Sequence, residues 1–91
     1  MDFDKLRIIC KDAFLVMDNL AFFPKRMDSG ALGLSIVDVN NTNKKMDYTI
    51  VNNELIMLGS SLSEANSYKA MLYTNINKDL IVREVYKWAN M

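Results

Sequence analysis

The chain has 91 residues, 51% of them hydrophobic and 24% charged, with eleven basic side chains balanced by eleven acidic ones. That length fits one domain with a modest core, burying roughly two-thirds of the surface its unfolded form exposes. A neutral chain supplies little of the phosphate attraction that nucleic-acid binding draws on, and it is not acidic enough to mimic DNA.

In chain order, Asp2 is expected to cap a helix running to about Ala21. Phe3, Leu6, Ile9, Cys10, Ala13, Met17, Leu20 and Ala21 recur along one face at steps of three and four. Ile8, Phe14, Leu15 and Val16 widen that stripe, so one side of the helix should meet more than its own sheet. Pro24 ends the segment, and "KRMDSG", Lys25 to Gly30, reads as a loop.

A first strand then runs from about Ala31 to Val39, with Leu32, Leu34 and Ile36 on one face and Val37 and Val39 on the other. Gly33 within it signals a bulge or a close approach. The polar stretch "NNTNKK", Asn40 to Lys45, reads as a turn. Its match to a glycosylation sequon at Asn40-Asn41-Thr42 is read as structural, because the opening residues do not resemble a secretory signal. Strands two and three are Asp47 to Val51 and Glu54 to Leu58, joined by Asn52-Asn53, where asparagine tolerates positive φ. This hairpin sets Ile50 beside Leu55 and Tyr48 beside Met57 on one face, with Thr49 and Ile56 on the other. The unbroken run Leu55, Ile56, Met57, Leu58 implies that both faces of the third strand need cover.

Ser61-Leu62-Ser63-Glu64 has the spacing of a capping box and opens a helix to about Tyr73, with Leu62, Ala65, the Lys69 stem and Leu72 inward. A competing reading makes Lys69 to Thr74 a strand, since its tyrosine and threonine suit a sheet. Asn75 or Asn77 then caps a final helix, Lys78 to Ala89, with Ile81, Val85 and Trp88 in one stripe. The expected fold is α+β over a single domain, residues 1–91: an N-terminal helix, a three-stranded antiparallel meander and two C-terminal helices.

Motifs for chemistry are sparse. The chain has no histidine, which removes the commonest general base and metal ligand. Cys10, the one cysteine, sits in an apolar repeat and reads as a small buried hydrophobe despite Arg7 and Lys11 nearby. Asp38, Asp47 and Glu54 fall at strand ends or turns where carboxylates can gather, but no spacing ties them together. With three glycines there is no phosphate loop. We therefore expect no catalytic residue, cofactor or metal site, and not an enzyme.

A second class of function, a small nucleic-acid-associated regulator, would need Lys25, Arg26, Lys44 and Lys45 to converge, with Phe22-Phe23 available for stacking. The opening "MDFDKLRIICKD" carries acids where a secretory signal carries bases, and no apolar run nears the ~20 residues of a membrane helix. A cytoplasmic setting is expected. Ten asparagines without a glutamine suggest an AT-rich coding sequence, as in phages and other mobile elements.

The apolar surplus is then the most informative feature, and it points to a protein partner or a homodimer. The interface candidates are Ile8 and Leu15 on the first helix, Ile56 and Leu58 on the third strand, and Tyr73 and Tyr86, whose amphipathic rings suit hot spots. An inhibitor, immunity or regulatory protein that occludes its partner would fit. The succession of an amphipathic helix, "GALGLSIVD" and "YTIVNNELIMLGSSLSE" also resembles, over Leu6 to Glu64, the first half of the type III secretion chaperones. That resemblance implies a helix before a twisted meander and a homodimer binding unfolded effector segments, although the chain is too short for the remaining strands of that fold.

Overall fold

The computed structural model describes residues 11–91. Five strands, β1 (Leu15–Met17), β2 (Leu20–Arg26), β3 (Leu32–Asp38), β4 (Asn41–Val51) and β5 (Glu54–Ser60), form one antiparallel sheet in the order β1-β2-β3-β4-β5. Two helices follow, α1 (Glu64–Ile76) and α2 (Lys78–Ala89). This corrects the expected three-stranded meander, and it corrects the expected helix over its described portion: Leu15 to Met17 and Leu20 to Ala21 are strand. The start of that helix, residues 2–10 with Ile8 and Cys10, lies outside the described residues.

The physical reason for the correction is a turn inside an apolar run. Asp18 adopts φ 53° and, with Asn19, reverses the chain, so that Met17 pairs Leu20 and Leu15 pairs Phe22. Short polar side chains tolerate that conformation, which a helix cannot contain. Phe14 to Phe23 could pass for a helix because β2 is apolar on both faces, which hides the period of two. Pro24 does not end an element; it lies within β2 beyond the three residues that β1 covers, where among the described residues β2 is an edge and a missing N–H is tolerated.

Other local expectations meet a similar test. Asn52 and Asn53 take φ 53° and 66°, as a two-residue hairpin with matched twist demands, and Tyr48, Thr49 and Ile50 pair Met57, Ile56 and Leu55. Asn41 to Lys45 is strand rather than turn; the reversal is at Val39 and Asn40, where the Asp38 carboxylate accepts the Asn40 N–H at 2.8 Å. Gly33 marks a close approach: a Cβ there would run into the Tyr48 carbonyl oxygen. Lys69 to Thr74 is helical.

The sheet has two unequal faces. Leu20 and Phe22, Leu34 and Ile36, and Met46, Tyr48 and Ile50 are buried on the helix side, where they join Ile81, Val82 and Val85 of α2 in one core. Each such side chain contributes about 1.5–3 kcal/mol relative to exposure. The other face carries Val16, Phe23, Lys25, Ser35, Val37, Asp47, Thr49 and Ile56, all half-buried or exposed.

Candidate protein interface

Helix α1 is built the wrong way round for a helix that packs by hydrophobicity. Its buried residues are Ala70 and Thr74, one turn apart. Around them the sheet-facing side is polar and hydrogen-bonded. Asn66 donates from Nδ2 to Asp38 Oδ2 at 3.0 Å, Ser67 donates from Oγ to the Leu62 carbonyl at 3.2 Å, and the Tyr73 hydroxyl donates to the Asp18 carboxylate. Tyr68, Met71, Leu72 and Ile76, at steps i, i+3, i+4 and i+8, share the opposite face and are 68%, 46%, 43% and 69% exposed.

Serines anchor the start of α1. Ser63 occupies the N-cap in an extended conformation, and the Ser67 N–H bonds its carbonyl at 2.8 Å. Ser61, the expected cap, is used elsewhere: its Oγ accepts the Lys45 N–H at 3.1 Å, tying the helix entry to β4. The expectation of Ala65, Lys69 and Leu72 inward is corrected, since all three are exposed, while Leu62 is buried. The apolar repeat is present in the sequence, but the positions of α1 that the core buries are Ala70 and Thr74.

Strand β5 is a second display of apolar surface. Ile56, Met57 and Leu58 are 45%, 50% and 57% exposed. The four-residue apolar run is explained by a bulge: Asp47 pairs Gly59 and Tyr48 pairs Met57, so Leu58 is the extra residue. Of the other candidates, Leu15 in β1 and Tyr73 in α1 are half-buried against the core, and Tyr86 is exposed on α2.

Lys25 and Arg26 point to different partners. Lys25 donates from Nζ to Asp47 Oδ1 at 3.0 Å, and the same oxygen accepts the Ser35 hydroxyl at 2.5 Å. Partial burial pushes the Asp47 carboxyl upward, but the Ser35 and Lys25 hydrogen bonds and the Lys25 and Lys45 charges together hold it below its ordinary value. Arg26 leaves for the other side, its Nη2 3.5 Å from the Ala89 carbonyl. Of the remaining turn acids, Asp38 is buried between Asn40 and Asn66, and Glu54 accepts Lys78 Nζ at 2.9 Å. Asp38, Asp47 and Glu54 thus have separate structural partners, and among the described residues no three metal-ligating side chains gather. Among the same residues, no helix is long and apolar enough to cross a membrane.

Comparison with known proteins finds no matching family model, no similar curated protein and no similar solved structure.

Proposed function

We propose that this chain is a small non-catalytic protein-binding module of the inhibitor, immunity or regulatory kind, acting in the cytoplasm by occluding a partner protein. The observation that carries the reading is the reversed helix α1. Its polar side chains bond the sheet while Tyr68, Met71, Leu72 and Ile76 face away from it. Leaving this face in water costs solubility and gains nothing for the fold, whereas an amphipathic helix face laid into a partner's groove is a recurrent mode of recognition. Tyr68 supplies a large rigid ring with a polar tip, the kind of side chain that dominates interface energetics.

The test is capture of a stoichiometric partner by the wild-type chain compared with Leu72→Asp and Tyr68→Ala. Both positions are exposed, so both variants should fold. The reading predicts at least tenfold weaker binding, about 1.4 kcal/mol, for each. Equal capture by all three chains would sink it.

A further inference from the structure

The two edges of the sheet are built differently. β1 has three residues, but β5 has seven, Glu54 to Ser60, and contains no lysine, arginine or proline. Those are residues with which natural sheets blunt an edge against pairing, and the one such device β5 carries is the bulge at Leu58, towards its end. Among the described residues β4 is the one strand that pairs with β5. Its one charge, Glu54, stands at the first position and is engaged by Lys78.

We propose that β5 pairs antiparallel with β5 of a second copy, about a two-fold axis at Met57, joining the two sheets edge to edge. The sequence of the strand is self-complementary in this register. Met57 meets Met57 on the helix side, and Ile56 of each copy lies against Leu58 of the other on the opposite face, giving apolar cross-strand pairs. The axis puts the two copies of Glu54 at opposite ends of the pairing, so no like charges oppose each other. An axis at Leu55 would instead set Glu54 against Ile56 and leave Leu58 without a partner. The bulge at Leu58 turns Gly59 and Ser60 out of step, confining the matched pairs to the centre of the strand. The contact is short, and the dimer forms in a concentration-dependent equilibrium.

Light scattering across about 10 μM to 1 mM tests the pairing. The average mass should rise from one chain towards two, and Ile56→Lys should move the midpoint at least tenfold higher in concentration without changing thermal unfolding. In a chain with Cys10→Ser, Met57→Cys should form a disulfide dimer at least tenfold faster than Tyr86→Cys. Paired strands hold directly opposed Cα atoms within disulfide reach, about 4.5–5.5 Å. A monomer throughout the range, a dimer undiminished by Ile56→Lys, or equal cross-linking at positions 57 and 86 would each overturn the proposal. It is independent of the α1 reading: a dimer whose partner capture ignores Leu72→Asp would sink only that reading.

Discussion

β3 and β5 are both seven residues long and similarly apolar, "LGLSIVD" and "ELIMLGS", yet they have opposite fates. Leu34 and Ile36 of β3 are fully buried, while Ile56, Met57 and Leu58 of β5 are about half exposed. Position in the ladder decides this. α2 packs against both, but β3 has a strand on each side and β5 has β4 on one side. Apolar content alone therefore does not identify a core strand; the number of neighbours does. What is left over at the edge is surface available for assembly.

The sharpest way to break this contrast is a matched pair of truncations. Ile36→Ala should cost about 2–5 kcal/mol of stability, by loss of transfer energy and creation of a cavity, and Ile56→Ala should stay within about 0.5 kcal/mol. Urea midpoints measure both, and similar losses would refute the assignment of β5 as surface. The glycines give a second pair. A Cβ at Gly33 meets the Tyr48 carbonyl and the Met27 methyl, whereas a Cβ at Gly59 has nothing within 4 Å. Gly33→Ala should therefore destabilise by about 1–3 kcal/mol through backbone displacement, and Gly59→Ala should be close to neutral.

Asp47, on the strand between them, provides a pH test. Its folded pKa lies below the unfolded value, so its contribution is present above the unfolded pKa and is lost as pH falls through the folded one. Asp47→Asn should lower stability at neutral pH by about 1 kcal/mol and flatten the fall in melting temperature below about pH 4. An unchanged acid limb would show that the Ser35 and Lys25 contacts carry no weight. The smallest effect is expected at the end of β5: Lys78→Ala removes an exposed ion pair with Glu54 and should leave the urea midpoint unmoved.

Much of the C-terminal half was legible in the sequence. The Asn52-Asn53 hairpin and its register follow from turn chemistry and alternation, and Lys78 to Ala89 follows from one regular stripe with Ile81 and Val85 inward. The first part was not, because a stretch that is apolar on both faces satisfies helical and strand spacing at once. Asp18-Asn19 is the one local signal of the turn, and two polar residues fit the outer side of a helix equally well. Asn41 to Lys45 does not read as strand because this part of β4 is exposed on both faces and carries no apolar alternation, its backbone still finding a ladder at Asn41 and Lys45. α1 was found, but with its faces exchanged. Periodicity locates an apolar stripe and says nothing of whether the protein's own core or another molecule receives it. Of the interface candidates, Ile56, Leu58 and Tyr86 are exposed, Leu15 and Tyr73 pack against the core, and Ile8 lies outside the described residues.

Surface that binds without stabilising is the central feature of this chain, and Leu72→Asp measured for both properties at once tests it most directly. Its urea midpoint should match the wild-type value while its affinity for the captured partner falls at least tenfold. A midpoint lowered to that of Ile36→Ala, or a partner affinity equal to wild type, would contradict it.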